Sequence, residues 1–178
     1  MHTIPVLFGL AVAAAASNTL HYTIPNSLKA ATSNCTLPAE FAVANFTTYT
    51  DKEDESLNTV SFEFSDPDTG IRTTCQRDAT STPSGPSKNK YGCDNDNVGF
   101  IYQTTGIAGL TITEKACPSG GTPKLEASGL LTPELECADT ADGTLCRAKQ
   151  DPLQGDFDSL QPIQPKVPVR RGRGAWRA

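Results

Sequence analysis

Val60-Ser61-Phe62-Glu63-Phe64, followed by Asp66-Pro67-Asp68-Thr69-Gly70 and then Ile71-Arg72-Thr73-Thr74-Cys75, decides the fold class. In the first stretch apolar and polar residues alternate, so Val60, Phe62 and Phe64 share one face of an extended chain while Ser61 and Glu63 face water. The middle stretch is a tight turn, in which proline fixes one dihedral and glycine tolerates a positive φ. The third returns as a second strand, and the whole reads as a hairpin with one buried face.

Outward from this hairpin the same signal recurs. Phe41-Ala42-Val43-Ala44-Asn45-Phe46-Thr47-Thr48-Tyr49 alternates loosely, and Ala79 to Lys90 is a Ser/Pro/Gly/Lys-rich loop tip. Asn97 to Thr104 and Gly109 to Lys115 form a second hairpin across the connection at 105–108, and Leu125 to Leu131, Leu135 to Cys137 and Leu145 to Lys149 are shorter strand candidates. Six to eight short strands separated by turns predict an all-β chain, a small antiparallel β-barrel or sandwich. The 14 Gly and 13 Pro among 178 residues argue against a helical bundle, and the length allows one modest domain.

Val6 to Ala16 is apolar and ends in small residues, which reads as a secretory signal peptide over 1–16. It is shorter than the roughly 20 residues a membrane helix needs. No second hydrophobic stretch follows, so a secreted, extracellular protein without a membrane span is expected. Six cysteines then enter an oxidising compartment: Cys35, Cys75, Cys93, Cys117, Cys137 and Cys146. An even count predicts three disulfides, with about 15 connectivities open to six cysteines. No C-x-x-C occurs, so a zinc knuckle is not expected. Asn34-Cys35-Thr36 and Asn45-Phe46-Thr47 are glycosylation sequons, which makes Asn34 and Asn45 the candidate glycan acceptors of a glycoprotein.

Residues 17–34 read as an extended N-terminal arm, 35–150 as the β domain and 151–178 as a disordered tail. Pro162, Pro165 and Pro168 interrupt any central strand. Lys166, Arg170, Arg171, Arg173 and Arg177 put five positive charges there, leaving ten basic against 20 acidic residues elsewhere, a net of −10. Such a body repels nucleic acid. A solvated tail, a dibasic processing site at Arg170-Arg171 and an electrostatic contact to anionic surfaces remain as readings of that segment.

Catalysis finds little support. With His2 lost in the signal, His21 is the remaining imidazole, so neither a Ser-His-Asp nor a Cys-His arrangement can be assembled. The 20 acids ensure that some carboxylates lie close together, but a glycosidase also stacks sugars on aromatic rings, and Trp176 is the single tryptophan. The acidic runs Asp51 to Glu55 and Asp94 to Asn97 lack the glycine and closing glutamate of a calcium loop and read as solvated loops. No enzyme, cofactor or metal site is therefore expected.

The run Phe62-Glu63-Phe64-Ser65-Asp66-Pro67 through Thr74-Cys75, then Tyr91-Gly92-Cys93 leading into Val98 to Tyr102, then Leu110-Thr111-Ile112-Thr113, and the close pair Cys137 and Cys146, resembles the Alternaria major-allergen family of small secreted fungal proteins. Over 35–150 the resemblance implies a compact antiparallel β fold without catalytic residues. It implies pairing of Cys75 with Cys93 and of Cys137 with Cys146, leaving Cys35 with Cys117. It also implies an allergen or an elicitor of host defence, with a host protein, a small phenolic ligand or a second copy in a homodimer as partner. The sequence departs where that family ends in a β-strand, because Gln161 to Val169 contains three prolines. Two functions follow: an effector or elicitor recognising a host defence protein, or a carrier holding a small apolar or phenolic molecule among Phe62, Phe64, Phe100 and Tyr102. The more economical reading makes those four rings core.

Overall fold

The computed structural model describes residues 19–84, 87–119 and 122–163, with the backbone alone at 118–119 and 122–123. The signal-peptide reading, and the tail beyond 163 with its basic residues, lie outside the described residues.

Among the described residues eleven strands form two antiparallel sheets. They are β1 (Glu40–Asp51), β2 (Thr59–Ser65), β3 (Arg72–Arg77), β4 (Tyr91–Gly92), β5 (Val98–Gln103), β6 (Gly109–Ser119), β7 (Thr122–Leu131), β8 (Leu135–Asp139), β9 (Gly143–Ala148), β10 (Leu153–Asp156) and β11 (Ser159–Pro162). One sheet has the order β3-β2-β1-β9-β8, with β10 beside the first part of β1; the other has the order β11-β7-β6-β5-β4. The sheets remain separate, so the all-β fold is a sandwich rather than a closed barrel. The hairpin decoded above is β2 and β3, with Phe62 opposite Cys75, and the second hairpin is β5 and β6, with Phe100 opposite Ile112.

The core lies where the inward faces meet. Phe41, Val43, Phe46, Val60, Phe62 and Phe64 from one sheet are buried against Phe100, Leu110, Ile112 and Leu125 from the other. β1 keeps its apolar residues inward through a bulge between Ala44 and Thr47, where Asn45 takes a φ of 56°. The extra residue resets the alternation, so Phe41 and Val43 before it and Phe46 and Thr48 after it all point inward. Asn is among the few non-glycine residues that occupy this left-handed region readily.

Three disulfides, Cys35–Cys117, Cys75–Cys93 and Cys137–Cys146, close the framework. Cys75–Cys93 joins the edge strand of one sheet to the edge of the other, alongside a hydrogen bond from the Asp94 N–H to the Thr74 carbonyl at 2.9 Å. Cys137–Cys146 crosslinks facing residues of β8 and β9.

Two boundaries differ from expectation. The domain does not end at residue 150: β10 pairs with β1, the buried Phe157 crosses between the sheets, and β11 adds an edge strand to β7. Pro162 is accommodated because it is the last residue of that edge strand, where a missing N–H costs no ladder bond. Glycine makes the crossing close, since a Cβ on Gly129 would collide with the Asp156 carbonyl. The arm before β1 is likewise not simply extended. It carries a 3-10 turn at Asn26–Leu28 and a helical turn at Lys29–Thr32, and Tyr22 is buried with its hydroxyl donating to the Pro38 carbonyl at 2.7 Å.

Candidate functional site

At the end of the sandwich where β1, β3 and β5 finish, the sheets part around a cleft of about 750 Å³. Its walls include Tyr49 and Asp51 from β1, Asn58 before β2, Arg77 from β3, Asn89, and Tyr102 from β5. Tyr102 is half-buried, its ring edge-on to Phe46 at 5.5 Å, and burial raises its hydroxyl above the usual tyrosine range. The Arg77 guanidinium lies 5.7 Å from the Tyr91 ring centroid. Asp51 accepts the backbone N–H groups of Glu53 and Asp54 at 3.0 and 2.9 Å, which hold its carboxyl below the ordinary range. Lys52 is spent on the carbonyls of Thr140 and Ala141. The cleft thus offers a guanidinium, two phenols and amides, a set suited to hydrogen-bonded recognition.

His21 lies at the other pole. It approaches Asp156, which faces Glu40 at the first residue of β1, so about 25–30 Å of strand separates it from the cleft wall at Thr48 and Tyr49. His21, Glu40 and Asp156 each offer one ligand atom within 4.8 Å of the others, an imidazole and two carboxylates able to take a borderline divalent cation. All three are exposed, and His21 Nε2 stands 3.6 Å from Asp156 Oδ1.

The same pole holds a sealed acidic cluster. Glu114 on β6 is wholly buried and Asp66, just past β2, is 1% exposed. Asp66 Oδ1 accepts the N–H groups of Asp68 and Thr69 at 2.6 and 3.0 Å. Asp66 Oδ2, both Glu114 oxygens and the Thr69 hydroxyl have no hydrogen-bond partner. Burial first, then the charge of Asp66, pushes Glu114 up to about 8, and burial likewise raises Asp66. Tyr22 is pushed up to about 12, by burial and by the charges of Asp66, Asp68 and Glu114. Two carboxyls with displaced affinities are what acid–base chemistry uses, but this pair is closed to substrate.

The residues singled out from sequence fall elsewhere. The rings of Phe62 and Phe100 meet at 5.0 Å, Phe46 and Phe62 at 6.0 Å, and Phe41 and Phe64 at 6.0 Å, so Phe62, Phe64 and Phe100 are packed against other core rings; Tyr102 alone of the four reaches the cleft mouth. The acidic runs are tied to their own backbone, Asp54 capping the turn at Glu55–Leu57 and Asn95 accepting the Asn97 N–H. Asn34 is exposed after the helical turn; Asn45 is exposed on the bulge, its amide donating to Glu63 Oε1 at 3.2 Å. Neither Asp66 nor Glu114 was anticipated, although alternation carries the signal. Val60, Phe62 and Phe64 point inward, so Asp66 is next in phase; Leu110 and Ile112 point inward, so Glu114 is next.

Two stacked antiparallel sheets joined by crosslinked edges place the chain in the class of disulfide-stapled β-sandwich proteins. More particularly, the fold is similar to that in the crystal structure of Alternaria alternata allergen Alt a 1, with a TM-score of 0.50 at 13% identity, over 72% of this chain and 92% of that one. A second crystal structure of the Alternaria alternata major allergen Alt a 1 gives a TM-score of 0.48 at 14% identity, over 71% and 95%. No protein-family model matches the sequence, and no curated protein matches it. Among the described residues no helix is long and apolar enough to cross a membrane.

Proposed function

We propose that the protein is a secreted, non-catalytic recognition protein of fungal type, an effector or elicitor that engages a host defence protein through the cleft at the ends of β1, β3 and β5. The observation that carries this reading is the cleft itself: a rigid, crosslinked scaffold presents Arg77, Tyr49 and Tyr102 around an opening from which the described imidazole is remote. Aromatic and arginine side chains at the centre of a concave surface are the residues that most often dominate protein recognition. The three disulfides support the secreted half of the proposal, since such crosslinks persist in an oxidising compartment. A carrier role in the interior gains no support, because the aromatic side chains meant to hold the ligand fill that space themselves.

The test uses the purified mature protein immobilised against fractionated plant apoplastic extract, with an oxidative burst in leaf tissue as a parallel readout. Saturable binding and a burst are expected, both weakened about tenfold or more by Arg77→Ala in the way hot-spot truncations act, and both untouched by Lys149→Ala just past the end of β9 that lies away from the cleft. No saturable partner together with no burst, or full activity of Arg77→Ala, would refute the proposal.

A further inference from the structure

We infer that Asp66 and Glu114 share a single proton and with it form a clasp between the two sheets, closed in acid and opened when the proton leaves. The geometry is complete with one proton and incomplete without it. Four oxygens in the sealed cluster lack partners: Asp66 Oδ2, Glu114 Oε1, Glu114 Oε2 and Thr69 Oγ1. A proton on Glu114 turns that carboxyl into a donor toward Asp66 Oδ2, the one contact two ionised carboxylates cannot make, while the Thr69 hydroxyl beside it can donate to the other Glu114 oxygen in either state. Asp66 keeps the charge, because its other oxygen already accepts two backbone N–H groups. The proton thus supplies the partner that Asp66 Oδ2 lacks, as buried polar atoms generally require one.

The surroundings fix the direction of the switch. The groups acting on Glu114 are Asp66, Asp68 and Thr69 from the turn between β2 and β3. Tyr22 approaches from the arm and is committed to the Pro38 carbonyl. The strand neighbours of Glu114, Val98 on β5 and Ala127 on β7, carry no charge. Lys115, next on β6, points to the opposite face and donates to the Asp96 carbonyl at 2.6 Å. Loss of the proton therefore sets two carboxylates side by side with no described cation facing them, and the Asp66–Gly70 turn, which carries one of the two, is the element that would part from β6. Asp68 Oδ2 accepts the Ala39 N–H, so release of the turn also frees the start of β1.

Urea unfolding of the mature protein between pH 5 and pH 9 tests the clasp. The folded state holds a proton that the unfolded chain gives up above the ordinary glutamate value of 4.5, so stability falls as pH rises from there to about 8 and then levels. The folding equilibrium constant should drop by up to about tenfold per pH unit inside that window. Glu114→Gln, whose amide donates to Asp66 Oδ2 at every pH, should flatten this slope and exceed the wild type at pH 8. Carbon-13 titration of the Glu114 carboxyl in the unmutated protein gives a second reading, with a midpoint far above the usual glutamate range. An ordinary midpoint would overturn the inference, as would a Glu114→Gln variant that keeps the wild-type slope. A rise in the pH 8 unfolding midpoint on adding calcium would also overturn it, by assigning the four oxygens to a cation.

Discussion

At one end of the sandwich Asp66, Glu114 and Tyr22 fill the space between the sheets under the Cys35–Cys117 crosslink; at the other, Tyr49, Arg77 and Tyr102 rim a cleft that stays open. Each end contains an aspartate that folds its own chain in the same way. Asp51 Oδ1 accepts the N–H groups two and three residues on, and so does Asp66 Oδ1. Their proton affinities nevertheless move in opposite directions, down for Asp51 and up for Asp66. The backbone hydrogen bonds are matched, so the difference comes chiefly from desolvation and from neighbouring charge, with the Tyr49 hydroxyl adding to the lowering at Asp51. A local motif does not determine chemistry; the side of the sheet on which it lands does.

Three measurements break or sharpen that contrast. The largest effect is expected from Cys35→Ser with Cys117→Ser, which reopens a loop of 82 residues and should cost about 4.5 kcal/mol by loop-entropy arithmetic. Urea unfolding measures the cost, and hydrogen exchange should locate the loosening at Tyr22 and the Asp66 turn while the cleft strands stay protected. Equal loosening at both ends would erase the distinction. Asn45→Ala places a Cβ-constrained residue at a φ of 56° and should cost about 1 kcal/mol, with Asn45→Gly close to neutral; carbohydrate-free protein separates this from loss of a glycan. The smallest effect belongs to the cleft, where Arg77→Ala should change stability by about 0.5 kcal/mol at most. A larger loss would make Arg77 a structural residue and move its role in recognition onto Tyr102.

The strands were legible wherever one face is buried and the other wet. Val60 to Phe64 and Leu110 to Thr113 show the period of two that burial imposes, and both hairpins follow from it. β1 was legible only loosely because the bulge at Asn45 interrupts its phase in mid-strand, which no propensity of Asn or Phe announces. β10 and β11 were hidden for another reason. Leu153 to Asp156 and Ser159 to Pro162 are short and polar, and they are strands because β1 and β7 offer them free edges, a tertiary cause. Cysteine spacing does not distinguish Cys35–Cys117 from other pairings, since its two ends meet only after both sheets have formed. The cleft could not be read at all, because Tyr49, Arg77 and Tyr102 come from three strands whose convergence depends on how the sheets stack. The sealed acids could have been found by following each inward phase one position further.

The pairing of β1 has a consequence for how the polypeptide is made. Its opening residues, Glu40 to Val43, gain their outer neighbour only from Leu153 to Asp156, and the second half of the strand waits for β9. During vectorial synthesis or translocation the earliest described strand therefore stays an uncapped edge until nearly the whole sandwich has emerged. Non-local closure of this kind is slow and leaves the nascent chain open to mispairing, so premature termination ahead of residue 153 would yield a sticky fragment for the quality-control machinery rather than a shortened working protein.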